Sequence, residues 1–425
     1  MDGHRERYVL ISSDAHAGAD LLDYKPYLQR ELHDEFDAWA ADHHDPWSTL
    51  DLELAEDDPE LHLGSASFLS SYNWDSDTRL EHLNSQGIAA EVIFPNTVPP
   101  FYPSGAVGAG APSTDDEYRL RWAGIQAHNR WLVDFCAQAP GRRGGLAQVF
   151  LNDLDDAIAE VRWAKDQGLV GVLIPSDHMT KLVNLYGRHL DPFWAVCAEL
   201  HMPVHRHTIT VNAPEDDDSG PAAEAIGAAE VQTFFQRGLG HLVLGAVLER
   251  HPDLRVVFTE TSLGGIADQL QKLDYLYARG SNRRSTLYPH FHRALEQLSM
   301  SPTEYFQRNC LVGASLLLSS DIPERHRVGV DRIMWGADYP HHEGSFPHTL
   351  AALRLNFAEV PEEEVRAMTS LNAADLYGFD LGQLQLVADQ IGPTIDEVAT
   401  PIAIEDLPRD SRCMTIADAL EPNGI

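Results

Sequence analysis

The sequence predicts an α/β fold, a (β/α)8 TIM barrel with an insertion after strand 1 and an extended C-terminal tail. Two observations predict this fold. Short apolar runs alternate with helical patterns along most of the 425 residues, and there are eight such runs, the number found in a closed parallel barrel. Several of these runs are continuously apolar, as expected for strands that are covered on both faces.

The eight predicted strands span residues 8–13, 88–94, 145–151, 169–174, 203–207, 254–260, 310–313 and 333–337. Between them, helical patterns begin at capping residues or run long enough for a full barrel helix, at 75–86, 117–136, 153–165 and 229–250. The alternation assigns residues 1–380 to the barrel domain.

One segment inside the barrel domain does not alternate. Residues 31–75 are rich in acids and contain Trp39, Trp47, Trp74 and the pair His43-His44. They form an insertion after strand 1, on the face where a barrel carries its active site. The insertion could cover that face and shape a pocket, or its tryptophans could simply pack on the surface.

The C-terminal segment also breaks the pattern. Residues 381–425 mix acidic and apolar residues with four prolines, at positions 393, 401, 408 and 422. Prolines disfavour helix interiors and sheet ladders, so we expect an extended tail that wraps the barrel or a second subunit. The tail is our reason for expecting a homodimer.

Composition restricts the partners. The chain has 31 basic against 65 acidic residues and a formal charge of −34, which opposes binding to nucleic acid or to an anionic membrane surface. No apolar run reaches the ~20 residues of a membrane helix, and the four cysteines form no C-x-x-C pair. We therefore expect a cytoplasmic protein that acts on a small-molecule substrate.

Two strands carry residue pairs typical of metal sites. Asp14 and His16 lie two apart at strand 1, so their side chains point the same way and can share one ion. An aspartate that orients a core histidine would give the same pattern. His205 and His207 at strand 5 are also two apart, and imidazoles inside a barrel are costly unless they are bonded or ligating.

Two further strands end in acids. Glu260 ends strand 6, and strand 8 runs into Asp338-Tyr-Pro-His341-His342-Glu343. Each acid alone could be a helix cap. Because the carboxyl ends of all the strands meet at one face of a barrel, however, the residues of strands 1, 5, 6 and 8 should converge there.

These motifs resemble the metal-dependent amidohydrolase-related barrel family, in the branch that includes aromatic-acid and aminocarboxymuconate-semialdehyde decarboxylases. The resemblance covers residues 8–380 and rests on Ser-Asp14-Ala-His16, Pro203-Val-His-Arg-His207, the run 247–260 through Glu260, Trp335-Gly-Ala-Asp338-Tyr-Pro-His341 and Asn372-Ala-Ala-Asp-Leu-Tyr-Gly-Phe379. It implies metal ligands at Asp14, His16, His207 and Asp338, with Asp338 also serving as general base.

The sequence departs from the family pattern at two positions. Strand 1 has Asp-x-His where many relatives have His-x-His, and strand 6 ends in Glu260 where the decarboxylases have a histidine. The loss of that imidazole favours hydrolysis, with Glu260, and in one version His205, recruited to a second metal. His341 is expected to position the substrate or transfer a proton, and Arg206 is expected to point outward in a structural role.

The leading prediction is therefore a metal-dependent hydrolase of an amide, ester or thioester, which uses metal-activated water with Asp338 as general base. The first alternative is a non-oxidative decarboxylase of an aromatic or enoic acid. The second is a barrel without metal that acts as a binding protein. The expected cofactor is one or two divalent ions, with zinc ranked first and manganese or iron also compatible with nitrogen and oxygen ligands.

Overall fold

Eight parallel strands form one sheet in the order β1 to β8, as the sequence predicts. A computed structural model describes residues 6–43, 70–103, 110–175, 183–207, 221–409 and 411–421. The strands are β1 Leu10–Ala17, β2 Ile88–Pro95, β3 Arg143–Gln148, β4 Gly171–Leu173, β5 Val204–His207, β6 Val256–Thr259, β7 Cys310–Ala314 and β8 Ile333–Trp335. A parallel bridge between Ala15 and Tyr339 joins β1 to the segment after β8, so the sheet is a nearly closed (β/α)8 barrel.

Helices occupy the connections between strands and most of the region after β8. The α-helices are α1 His33–Asp42, α2 Ser76–Ser85, α3 Asp115–Ala137, α4 Leu154–Asp166, α5 Asp191–Glu199, α6 Pro221–Leu244, α7 Val247–Arg250, α8 Leu263–Ser281, α9 Tyr288–Leu295, α10 Pro302–Asn309, α11 Arg325–Val328, α12 Thr349–Phe357, α13 Glu362–Arg366, α14 Asn372–Tyr377, α15 Leu381–Ile391, α16 Ile395–Ala399 and α17 Met414–Leu420. The helix predicted at 229–250 is divided at Ala246, whose φ of 55° is left-handed. Within the described ranges, no helix combines the length and apolarity needed to cross a bilayer.

The hydrophobic core has two layers. One lies between the sheet and the surrounding helices. The other fills the barrel with side chains such as Leu146, Val257 and Met334, and it continues to Tyr377 and Leu384 of α14 and α15. These two helices cover the amino end of the barrel, which leaves the carboxyl end as the face where polar side chains can collect.

The seam between β1 and β8 is tightly packed. The Asp338 N–H donates to the Asp14 carbonyl at 2.9 Å, and the His16 N–H donates to the Tyr339 carbonyl at 2.7 Å. A Cβ at Gly336 would lie 2.7 Å from the Asp14 Cβ, so only glycine fits there. The β1–β2 register shifts between Ser12 and Ala15, an irregularity of the kind that re-aims side chains. The seam therefore brings the first and last strands together where their acids lie.

The described part of the insertion includes helix α1, which packs against aromatic side chains. Helix α1 places Trp39 5.5 Å from Phe101 and 6.0 Å from Phe36, measured between ring centroids, so this tryptophan packs against aromatic side chains. Trp47 and His44 lie outside the described residues.

The prediction of an extended C-terminal tail is wrong in its conformation. Residues 381–420 contain α15, α16 and α17. Their prolines separate short helices instead of preventing them. Thr394 and Glu397 form a capping box at the start of α16, a T-x-x-E pattern that the sequence already carried. The tail packs on the barrel through α15, which joins the inner core, and through α17, whose Ile416 packs near Ala352 of α12.

Candidate metal centre

Asp14 and His16 face the barrel interior at the carboxyl end of β1, where both are buried. The His16 Nε2 lies 3.4 Å from the Asp14 Oδ1, and its Nδ1 lies 3.3 Å from the Pro95 carbonyl oxygen. If Nδ1 carries the only ring proton, it donates a hydrogen bond to that carbonyl. The lone pair on Nε2 then faces the same space as the carboxylate oxygens. The Ser315 hydroxyl donates to the Asp14 Oδ2 at 2.6 Å and holds the carboxylate in place.

His207 at the end of β5 joins this pair from across the barrel. Its Nε2 lies 3.4 Å from the Asp14 Oδ1, and its Nδ1 lies 3.4 Å from the Glu260 Oε2. Glu260 follows β6 with a φ of 59°, a left-handed conformation that is uncommon for a residue other than glycine. Helix α8 is capped by Ser262, so Glu260 is not the helix cap that the sequence left open.

Asp338 completes the group at the end of β8, also with a left-handed φ, of 55°. Its Oδ1 lies 3.2 Å from the His16 Nε2 and 3.1 Å from the His341 Nδ1. The His341 ring stacks on His16 at a centroid distance of 4.1 Å. Its Nε2 lies 3.0 Å from the Asn96 Oδ1. Helix α12 has His348 as its N-cap residue and no side-chain cap, so Asp338 is not a helix cap either.

The sequence-predicted residues thus meet in one place. One ligand atom from each of Asp14, His16 and His207 lies within 4.8 Å of the others, and the same holds for His16, Asp338 and His341. A third set, Glu260, Asp338 and Glu343, meets the same criterion. The sets share His16 and Asp338, so they form one continuous centre.

Burial and neighbouring charges shift the pKa values of His16, Asp14 and Glu260. Burial disfavours a charged imidazole, but the carboxylates of Asp14 and Asp338 outweigh it and raise the pKa of His16 to about 10. Burial likewise opposes ionisation of Asp14, and the neighbouring imidazoles of His207 and His16 reverse this and hold its pKa well below the usual range. Burial together with the charges of Asp338, Asp14 and Glu343 raises the pKa of Glu260 well above the usual range.

The donor set fits a divalent cation. The Asp14 Oδ1, the His16 Nε2 and both Asp338 oxygens are buried, and in the described part of the chain none of them makes a hydrogen bond. Buried polar atoms normally have such partners. Imidazole nitrogens and carboxylate oxygens that converge in this way are the arrangement that zinc, manganese and iron bind.

His205 lies apart from this centre, contrary to the version of the prediction that recruited it to a second metal. Its Nδ1 lies 3.1 Å from the Val172 carbonyl oxygen, and its Nε2 lies 2.9 Å from the Tyr377 hydroxyl at the amino end of the barrel. Arg206 points outward as expected, toward Gly238 of α6, and is fully buried there.

Sequence reasoning missed the residues that support the centre. Ser315 and Asn96 directly follow β7 and β2, so the search for polar residues at strand ends, applied to every strand, would have found both. Glu343 stands in the quoted strand 8 motif without an assigned role. Its Oε1 lies 4.0 Å from the His341 Nδ1 and its Oε2 lies 3.3 Å from the His342 Nδ1.

A buried ion pair also supports the centre from outside the barrel. Arg79 of α2 donates to both carboxylate oxygens of Glu91 on β2, at 2.9 and 2.8 Å, and to the His16 carbonyl at 2.8 Å. Its guanidinium lies 4.7 Å from the centroid of the Tyr339 ring. Arg79 therefore holds β1 and the segment after β8 together at the level of His16, and no local pattern in the sequence pointed to it.

A parallel barrel with histidines and carboxylates at the carboxyl ends of its strands is the architecture of metal-dependent barrel enzymes. The chain belongs to the amidohydrolase family, whose family model matches residues 43–379. Strand β1, with Asp14 and His16, precedes the matched region. No curated protein sequence matches the chain.

Solved structures with this fold match most of the chain. An amidohydrolase from Mycobacterium avium subsp. paratuberculosis K-10 is 20% identical with a TM-score of 0.58, and the match covers 88% of this chain and 99% of that one. A 5-carboxyvanillate decarboxylase from Novosphingobium aromaticivorans DSM 12444, with bound manganese and 3-methoxy-4-hydroxy-5-nitrobenzoic acid, is 19% identical with a TM-score of 0.62, covering 87% and 97%. A 2,6-dihydroxybenzoate decarboxylase from Rhizobium is 18% identical with a TM-score of 0.57, covering 88% and 99%. At these identities the likeness shows the fold.

Proposed function

We propose that this protein is a metal-dependent, non-oxidative decarboxylase of an aromatic or enoic carboxylic acid. The observation that carries the proposal is Asp338, a fully buried carboxylate between the imidazoles of His16 and His341. The decarboxylases among the structural neighbours support this reaction over the hydrolysis that the sequence ranked first.

Asp14, His16, His207 and Asp338 would hold the metal, and we call them the main ligand set. A bound divalent ion would supply positive charge to hold the carboxylate of the substrate. The manganese in the decarboxylase from Novosphingobium aromaticivorans supports manganese here over zinc.

In this reaction the bond between the substrate carbon and its carboxylate breaks, carbon dioxide leaves, and the electron pair that remains on carbon takes up a proton. Asp338 is the residue positioned to deliver that proton. The His341 Nδ1 lies 3.1 Å from the Asp338 Oδ1, so a proton on the imidazole can pass to the carboxylate. Asn96 fixes the other ring nitrogen of His341 at 3.0 Å and keeps the ring facing Asp338.

Hydrolysis of an amide, ester or thioester is the second candidate, and Glu260 favours it. Glu260 stands at the end of β6, 3.4 Å from His207, at the position where the decarboxylases resembled by this sequence have a histidine. In hydrolysis Asp338 would accept a proton from the attacking water and return it to the leaving group.

A paired substrate panel tests the proposal. Purified protein loaded with manganese is incubated with 2,6-dihydroxybenzoate and 5-carboxyvanillate, and the carbon dioxide released is measured against loss of substrate. A matched panel of aryl esters, anilides and thioesters is followed for release of acid. Carbon dioxide in equal amount to the acid consumed supports decarboxylation, and turnover of the second panel alone would replace it by hydrolysis.

Asp338→Asn should reduce turnover by about 10²–10⁴-fold in either reaction, because the amide cannot hold and return a proton. Glu359→Gln is the matched control, since it removes an exposed carboxylate far from the centre and should leave turnover unchanged. If wild-type protein retains no manganese, zinc or iron after purification and dialysis, the chain would instead fit the metal-free binding protein.

A further inference from the structure

A line of hydrogen-bonded side chains leads from the insertion after β1 to the buried pair of Asp338 and His341. Asn73 lies near the end of the insertion and Asn96 directly follows β2, and both are buried. The Asn96 Nδ2 donates to the Asn73 Oδ1 at 2.6 Å. The Asn96 Oδ1 lies 3.0 Å from the His341 Nε2, and the His341 Nδ1 lies 3.1 Å from the Asp338 Oδ1. The insertion therefore reaches the residues to which the proposed function assigns the proton.

A backbone carbonyl sets the direction of this line. The Asn73 Nδ2 lies 3.1 Å from the Ser70 carbonyl oxygen, and a carbonyl oxygen can only accept a hydrogen bond. The Asn73 Oδ1 must then face Asn96 and accept, which turns the Asn96 Oδ1 toward His341. Reversal of either amide would bring two oxygens together in a buried place, where unmatched polar atoms are costly.

The direction of the line decides which ring nitrogen of His341 keeps a proton. The Asn96 Oδ1 accepts only from a nitrogen that carries hydrogen, so the His341 Nε2 is protonated whether the ring is neutral or charged. In the neutral ring the Nδ1 then has a lone pair. A hydrogen bond between this Nδ1 and the Asp338 Oδ1, at 3.1 Å, requires one proton between two acceptors. The pair therefore shares a single mobile proton, and the Nε2 proton is fixed.

Backbone hydrogen bonds attach both asparagines to the end of β1. The Asn96 N–H donates to the carbonyl of Ala17, the last residue of the strand, at 3.0 Å. The Asn73 carbonyl accepts the N–H of the next residue, Gly18, at 3.4 Å. The two amides are thus held at the end of the strand that carries two of the main ligands.

We propose that Asn73 is a positioning residue, which acts through Asn96 to keep the Nε2 proton of His341 in place. The inference rests on the proposed function in that Asp338 delivers the proton there. The mobile proton moves from the His341 Nδ1 to the Asp338 Oδ1, the Nδ1 regains its lone pair, and Asp338 passes the proton to the carbon that has lost carbon dioxide. Because the Nε2 proton stays bound throughout, the Nδ1 is the nitrogen that takes the next proton from solvent.

Nitrogen-15 NMR of the full-length protein, labelled at its histidines, measures the tautomer directly and needs no substrate. The protein is loaded with Zn²⁺, which is diamagnetic, and spectra are recorded well above the ordinary imidazole pKa of ~6.5. His341→Gln identifies the His341 signals by their absence. We expect a proton on the His341 Nε2 in wild-type protein, and a ring protonated on Nδ1 alone would overturn the proposal.

Asn73→Leu removes the amide and keeps a side chain of similar size. Asn96 can then turn over, so we expect the single tautomer of His341 to be replaced by a mixture of both. Asn73→Asp should restore the wild-type signal, because a carboxylate oxygen still accepts from the Asn96 Nδ2. A single unchanged tautomer in Asn73→Leu, or the mixture in folded Asn73→Asp, would overturn the role of Asn73.

Asn309→Leu is the matched control. Its amide is also fully buried, and it donates to two backbone carbonyls at 2.9 and 2.7 Å, before β7 at the amino end of the barrel. This variant should lose stability and leave the His341 tautomer unchanged, whereas a mixture of tautomers here would show that any buried asparagine has the same effect. Circular dichroism checks that each variant is folded.

Turnover gives a second readout. In the manganese-loaded protein, Asn73→Leu should lower kcat about 10-fold with little change in KM, because Asn73 is fully buried and acts only through its neighbours, and Asn73→Asp should recover the loss. A rise in KM at constant kcat would contradict this role. If wild-type protein turns over neither substrate panel, the proposed function fails while the NMR spectra still decide the role of Asn73, so the two failures are distinguishable.

Discussion

Buried histidines in this barrel lie in two opposite environments. At the carboxyl end, His16 and His207 face carboxylates, and those charges raise the pKa of His16 to about 10 despite its burial. Deeper in the protein, His205 and His128 each lie 2.9 Å from a tyrosine hydroxyl. Burial lowers the pKa of His205 to about 4 and that of His128 to about 3.

The polar partner of a buried imidazole, and not its burial, therefore distinguishes a candidate ligand from a core residue. His205 and His207 show this most directly because they share one strand and are both buried. The Phe94 ring lies 5.7 Å from His205 and 4.8 Å from His207, so it contacts both imidazoles. It is an apolar neighbour of each, and only their polar partners differ.

The largest expected effect is on manganese affinity, and it distinguishes the two histidines of β5. His207→Asn should weaken manganese binding at least ~100-fold, because ligands contribute at least as much as the residues that orient them. His205→Asn is the matched control on the same strand and should retain wild-type manganese affinity, measured by competition with a fluorescent chelator. Equal losses in the two variants would mean that β5 contributes packing and no ligand.

The next effect is on the pH dependence of stability, and it arises from the buried, neutral imidazole of His128. Its pKa is about 3 in the folded state and about 6.5 when unfolded, so below pH 6.5 the unfolded chain binds a proton that the folded protein does not. Stability is therefore fully present above pH 6.5 and is lost as the pH falls toward 3. The slope of the unfolding free energy against pH approaches about 1.4 kcal/mol per unit for this one group.

His128→Gln should reduce that slope, measured by urea unfolding at several pH values between 7 and 5. The slope is the relevant quantity because a constant loss of stability in the variant does not change it. An unchanged slope would show that His128 is protonated in the folded protein.

The smallest expected effect is a loss of stability at the amino end of the barrel, where His205 lies. Tyr377→Phe removes the hydroxyl that lies 2.9 Å from the His205 Nε2, which leaves a buried nitrogen without that partner and should cost about 1–3 kcal/mol of stability. Manganese affinity should not change. Tyr275→Phe, at a residue that is 59% exposed, is the control and should change neither. A loss of metal in Tyr377→Phe would show that the two ends are coupled.

Local patterns were sufficient to predict the barrel and most of the candidate centre. Apolar runs located all eight strands, and acids or histidines at strand ends located Asp14, His16, His207, Glu260 and Asp338. These residues come together because parallel strands end on one face, a property of the fold and not of any pair of residues.

The remaining features depend on contacts between distant parts of the chain. Arg79 reaches the His16 carbonyl and Glu91 through tertiary packing that has no local pattern. Glu343 gains its place from a loop that is anchored to Met414. The tail prediction was wrong for a different reason, since it counted prolines and overlooked the capping box at Thr394.

The seam between β1 and the segment after β8 also determines when the barrel can close during synthesis of the chain. Asp14 precedes Asp338 and Met414 in the chain, so it leaves the ribosome well before them. Chains fold from the N-terminus as they emerge, so β1 must wait for its final neighbour while seven further strands are made. The main ligand set can therefore come together only after the segment that follows β8 has been made.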